Sequence, residues 1–148
     1  MTLTYTQQAI IRVAREWIGT PYHHQAALKG VGCDCLGLVR GVYRELYGRE
    51  PEAPPAYSSS WIEETGSDEL LKACHRHLSD VPLIDATVGD VLLFRMVRTG
   101  PVKHMAILVE DNRIVHAYVG HEVLETSMAI SVASRLAAAF RFPALRVV

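Results

Sequence analysis

The sequence predicts an α+β domain, and two observations carry the prediction. Up to about Leu78 the apolar residues recur at helical spacing; from Val88 onward they fall into short runs and alternating segments separated by turn residues. The chain has 148 residues, 49% hydrophobic and 21% charged, which suits one domain over 1–148 with a core needing no disulfide or metal staple.

Ile10, Val13, Ala14, Trp17 and Ile18 trace an apolar helical stripe, with Thr4 or Thr6 as candidate caps and Gly19 as the stop. Gly19-Thr20-Pro21-Tyr22 breaks the helix. The loop that follows, to Gly32, carries Tyr22, His23, His24 and Gln25, of which His23, His24 and Gln25 either serve a site or are simply solvated. A second helix begins near Asp34 or Cys35, buries Leu38, Val39, Val42 and Leu46, and ends near Tyr47-Gly48; Asp34 is its candidate N-cap. Glu50 to Ser60, rich in Pro, Ser and Ala, reads as an irregular connection. A short helix over about Ser67 to Leu78 turns Leu70, Leu71, Cys74 and Leu78 inward, which makes Cys74 a core residue.

Gly89-Asp90 then precedes the apolar run Val91–Phe94, a buried strand. Arg95 to Lys103 reads as a loop, and His104–Glu110 with Arg113–Tyr118 as a hairpin about Asp111-Asn112. Val123 to Thr126 adds a strand. Ala139 to Val148, interrupted by Pro143, is expected to supply one or two closing edge strands, because proline is tolerated best at edges.

The formal net charge of −1, with 15 scattered Lys and Arg residues, argues against a nucleic-acid partner. No run reaches membrane-spanning length, and Met1 to Gln8 lacks the basic flank and apolar core of a signal peptide. Three cysteines, two of them separated by one residue, are not a disulfide framework and suit folding in a reducing compartment.

The chemistry centres on Gly32-Cys33-Asp34-Cys35-Leu36-Gly37. A cysteine in a helix's first turn has its thiolate favoured by the positive helix end and its unpaired amides. The commoner role of a free cysteine is that of a small buried hydrophobe. Two downstream histidines separate these readings if they share a sheet face. A two-residue hairpin loop would set His116 and His104 on opposite faces. A three-residue loop, Glu110-Asp111-Asn112 with Asn112 left-handed, makes paired numbers sum to 222, so that His116 opposes Ala106 and neighbours His104 diagonally. The odd-length loop is predicted. Cys35, His104 and His116 then form a nucleophile, a general base holding the thiol as a thiolate–imidazolium pair, and an orienting group, the arrangement of covalent acyl transfer. That chemistry needs no cofactor and no metal.

Thr20-Pro21-Tyr22, Asp34-Cys35-Leu36-Gly37-Leu38-Val39, Gly89-Asp90-Val91-Leu92-Leu93-Phe94, His104-Met105-Ala106-Ile107 and Ile114-Val115-His116-Ala117 resemble, in order and spacing, the successive motifs of the NlpC-type bacterial cell-wall cysteine peptidases. The resemblance implies a papain-like fold with N-terminal helices packed on a central antiparallel sheet. It implies cleavage of peptidoglycan stem peptides, typically between D-γ-glutamate and diaminopimelate. It also implies Cys35 as nucleophile, His104 as base, His116 as third polar residue, Tyr22 beside the scissile carbonyl and Asp34 in binding the free amine of a trimmed stem peptide.

The family often has serine where this chain has Leu36, and no additional wall-binding domain is expected here. With Lys29-Gly30-Val31-Gly32-Cys33 and Phe140-Arg141-Phe142-Pro143, these departures resemble the phage and gene-transfer-agent branch. In that branch the enzyme, made in the cytoplasm without a signal peptide, would ride on tail proteins and act in the wall or periplasm. Rival readings are a zinc site, disfavoured by the one-residue spacing of Cys33 and Cys35; a non-catalytic tail assembly or hub protein; and a related amidase or acyltransferase.

Overall fold

The structure, a computed structural model, describes residues 5–52 and 69–144. The Thr4 cap, most of the Pro-rich connection, the expected helix start at Ser67 and the last four residues lie outside that range. Helix α1 (Tyr5–Glu16) and helix α2 (Cys35–Tyr47) flank a small hairpin, β1 (Ala27–Leu28) and β2 (Gly32–Cys33). Helix α3 (Glu69–His77) leads to β3 (Ser79–Val81), and then come β4 (Val91–Arg95), β5 (Val102–Val109), β6 (Arg113–His116) and β7 (Leu124–Ser127). A single helical turn, α4 (Ile130–Ala133), precedes β8 (Leu136–Arg141).

The six-stranded sheet is antiparallel throughout, in the order β3-β8-β4-β5-β6-β7. Alternate residues of β4, β5 and β6 (Val91, Leu93, Met105, Ile107, Val115) join the inward faces of α1, α2 and α3 in the main core. The opposite face carries a smaller cluster of Leu92, Phe94, Ala106, Ile114 and Ala139.

Several expectations change: β1 lies inside the segment read as a loop up to Gly32, and β5 begins at Val102, inside the segment read as the Arg95–Lys103 loop. Strand β8 is interior, paired on one side with β4 and on the other with β3, whose Ser79–Val81 residues had no strand pattern to announce them. Pro143 falls after β8, so it constrains no edge. The β4–β8 junction is held by Asp90, 1% exposed, whose two oxygens take a bidentate fork from Arg141 at 2.9 and 3.0 Å. Ile18 is 43% exposed and drops off the predicted stripe, because α1 ends at Glu16 and the chain leaves its helical path.

Two glycines record close backbone approaches. A Cβ on Gly41 would stand 2.1 Å from the Trp17 ring, which is how α2 seats that fully buried indole. A Cβ on Gly37 would stand 1.8 Å from the Ala26 carbonyl oxygen, so the first turn of α2 lies directly on the loop before β1. We expect Gly37→Ala to lower stability by roughly 1–3 kcal/mol through that overlap. Urea denaturation of the variant beside the parent checks it, and an unchanged midpoint would refute the packing argument.

Candidate active site

The start of α2 is built by one carboxylate. Asp34, 4% exposed and in extended backbone, caps the helix by accepting from the Gly37 amide at 2.7 Å. Its other oxygen accepts from the Gln25 amide at 2.8 Å, holding Gln25 in the left-handed region at φ 66°. The loop is stitched further by Cys33 N–H to the Pro21 carbonyl at 3.0 Å and His23 N–H to the Cys33 carbonyl at 3.1 Å, which set Tyr22 alongside Cys33. The Thr20 hydroxyl, in the same motif, accepts from the Gly30 amide.

Cys35 is therefore held at the helix start, half-buried, with Cys33 wholly buried behind it. Its sulfhydryl points to the Lys103 carbonyl of β5 at 3.8 Å, and the Met105 amide also faces the sulfur, so the thiol lies against the backbone on both sides of His104. Cys74 is a buried core residue of α3, as its helical position predicts. Leu36 packs against the main core.

The hairpin has the odd loop. Ile107 pairs with Val115, Leu108 with Ile114 and Val109 with Arg113, each pair summing to 222, and Glu110-Asp111-Asn112 form the connection. Both Asp111 and Asn112 are left-handed (φ 60° and 56°), one residue more than expected and tolerated because short polar side chains bear that conformation best. Consequently His104 and His116 meet, Nε2 of His104 lying 2.9 Å from Nδ1 of His116. A sequence-invisible partner completes the row: Nε2 of His116 lies 2.9 Å from the Thr126 hydroxyl oxygen. The Tyr118 ring packs at a tilt against His116, with centroids 5.0 Å apart, and against His121 at 4.3 Å.

Burial governs the ionisation. It pushes the Cys35 thiol up to about 12, helped by the Asp34 carboxylate and opposed by the Met105, Leu36 and Cys35 amides. The helix-end stabilisation expected from the sequence is present but outweighed. Burial also lowers His104 to about 3, with His116 as a further cause, and lowers His116 to about 4, with His121 as a further cause. Burial thus favours the uncharged form of each group taken singly, against the direction of the expected ion pair. Tyr22 is raised to about 12, chiefly by burial and further by any negative charge on the neighbouring Cys35, Asp34 and Cys33, which keeps its hydroxyl a donor.

His23 is exposed and its Nδ1 contacts the His24 carbonyl; His24 Nδ1 stands 4.0 Å from Asp34. Among the described residues, no group of three or more His, Cys, Asp or Glu side chains is placed to hold a metal ion, and no helix is long and apolar enough to cross a membrane.

With this geometry in hand, comparison with known proteins is decisive at the level of family, since the NlpC/P60 family profile matches residues 19–140. The chain belongs to the NlpC/P60 family. It is 30% identical over 113 residues to the murein DD-endopeptidase MepS/murein LD-carboxypeptidase of Escherichia coli K12, a match covering 76% of this chain and 50% of that protein. The chain thus spans about half the length of the curated relatives it matches. The fold agrees with the NlpC/p60 domain of the peptidoglycan hydrolase SagA (TM-score 0.63, 23% identity, 92% of this chain and 98% of that one). It also agrees with an NlpC/P60 protein of Bacillus cereus (TM-score 0.66, 19% identity, 92% and 40%). The helices on an antiparallel sheet expected from the motifs are therefore the fold observed.

The two lowered histidines set a pH dependence. A histidine held neutral by folding binds its proton near 6.5 when unfolded. Here the folded values are about 3 and 4, so below 6.5 the unfolded chain binds more protons. The stability these groups contribute is complete above about 6.5 and is lost as the pH falls toward 3–4. We expect the melting temperature to drop between pH 7 and 4, and to drop less in a His104→Asn, His116→Asn double variant. Parallel slopes for the two proteins would contradict the assignment.

Proposed function

We propose that this NlpC/P60 domain is a cysteine endopeptidase that hydrolyses peptidoglycan stem peptides through a Cys35 acyl-enzyme. The observation that carries the reading is the odd hairpin register, which brings His104 and His116 to 2.9 Å beside the β5 backbone that Cys35 touches. His104 takes the thiol proton at Nδ1, its Nε2 being engaged with His116. Sulfur attacks the scissile carbonyl, and the imidazolium returns that proton to the leaving amine. Water, deprotonated by the same imidazole, then releases the acid. The amides facing the sulfur and the Tyr22 hydroxyl are the donors available to the developing oxyanion. His116 holds His104, and Asp34, besides capping α2, contributes to binding the free amine of a trimmed stem peptide.

The bond proposed is that between D-γ-glutamate and diaminopimelate, on the motif resemblance. The E. coli relative is named for DD-endopeptidase and LD-carboxypeptidase activities, which favour a second reading at other bonds of the same stem. Delivery by a phage tail or gene-transfer-agent particle is supported by the Lys29–Cys33 and Phe140–Pro143 segments.

Digestion of purified muropeptides followed by mass analysis tests substrate and bond together. We expect new termini at D-γ-glutamate, with Cys35→Ala reducing turnover by at least about 10³-fold and Cys33→Ala nearly silent. Cleavage at another bond of the stem would select the second reading. A Cys35→Ala protein that keeps its activity would dismiss the mechanism. Absence of cleavage, with Cys35 unlabelled by a thiol-directed inhibitor, would favour a non-catalytic tail component.

A further inference from the structure

Thr126 is the residue at which the polar row through the site ends. It lies on β7, where Ile114 is its direct partner and His116 pairs with Leu124, so Thr126 and His116 share a sheet face as diagonal neighbours. The hydroxyl oxygen stands 2.9 Å from Nε2 of His116 and is half-buried. On the far side, Nδ1 of His116 stands 2.9 Å from Nε2 of His104.

The proton count along this row is constrained once His104 becomes charged. An imidazolium carries N–H on both nitrogens, so Nε2 of His104 must donate to His116. A neutral His116 then has to accept at Nδ1 and carry its single proton on Nε2. That proton has only the Thr126 oxygen within the described contacts to meet, so the threonine is required as an acceptor in the charged state. Hydrogen bonds to groups that share a charge are stronger than neutral ones, and chains of them polarise one another. The bond therefore strengthens as the proton leaves sulfur, which makes it a differential stabilisation of the reacting state.

We infer that Thr126 is a positioning residue: its hydroxyl accepts from His116 Nε2–H, fixes the tautomer of His116, and so keeps Nδ1 of His104 bare to receive the Cys35 proton. This rests on the acyl-enzyme reading above. Its described side-chain contact is with His116, and it acts through that residue.

Thr126→Val, which keeps shape and removes the hydroxyl, is expected to lower kcat by ~10–100-fold with KM changed little. Thr126→Ser is expected to stay within a few-fold of the parent, and all three proteins to melt alike. Imidazole 15N NMR supplies a readout independent of turnover: the parent should carry the His116 proton on Nε2, and Thr126→Val should move it at least partly to Nδ1. An unchanged kcat in Thr126→Val overturns the inference. So does a Thr126→Ser variant as slow as the valine one, or a parent His116 protonated on Nδ1. If the protein cleaves nothing, or if Cys35→Ala remains active, the acyl-enzyme reading fails, while the 15N shifts still decide whether Thr126 accepts from His116.

Discussion

Everything at the site depends on where the Asp34 carboxylate is held. It is buried, and its two oxygens accept amides from different parts of the chain, Gly37 in the helix and Gln25 in the preceding loop. A buried carboxylate without such partners would be strongly unfavourable, so the two amides and the charge are mutually required. The consequence is geometric: the helix start, the loop carrying Tyr22 and the thiol between them become one rigid corner. It is also electrostatic, because that same negative charge opposes ionisation of Cys35. The residue that places the thiol thus adds to burial in raising its pKa.

The second constraint is the register of the β5–β6 hairpin. A single residue added to or removed from its loop would turn His116 to the other sheet face, because side chains alternate with a period of two. The left-handed Asp111 and Asn112 make the odd loop possible without glycine. The loop is secured to the neighbouring strand by the Met128 amide, which donates to the Asn112 carbonyl at 2.9 Å. Register then propagates: β6–β7 pairing brings Thr126 to His116 just as β5–β6 pairing brings His116 to His104. A row of side chains from three strands is the sheet's way of converting backbone alignment into a directed hydrogen-bond chain.

Much of this was legible before any coordinates. Helix α2, with its Asp34 cap and left-handed Gly48 stop, follows from local chemistry, as does the buried strand Val91–Phe94. The interior position of β8 did not follow, since Leu136–Arg141 pairs with β3 and β4 across more than 40 residues of sequence and nothing in its own pattern names those partners. Thr126 was read as an ordinary strand residue for the same reason: a hydroxyl becomes a hydrogen-bond partner only when another strand delivers a nitrogen to it. Gly37 was recognised as part of a motif, but the Ala26 carbonyl that excludes a side chain there belongs to a loop that carries no pattern of its own.

Sequence was sufficient for whatever depends on neighbours along the chain. It marked Cys35 as the cysteine at a helix start, separated it from Cys33 and Cys74, and identified a turn whose Asn112 could bear an odd loop. Ionisation was beyond its reach. Whether a thiol and an imidazole rest charged or neutral depends on how much water the folded protein removes from them. Burial, which drives His104 to about 3 and Cys35 to about 12, is the summed effect of strands and helices that come together only in the fold.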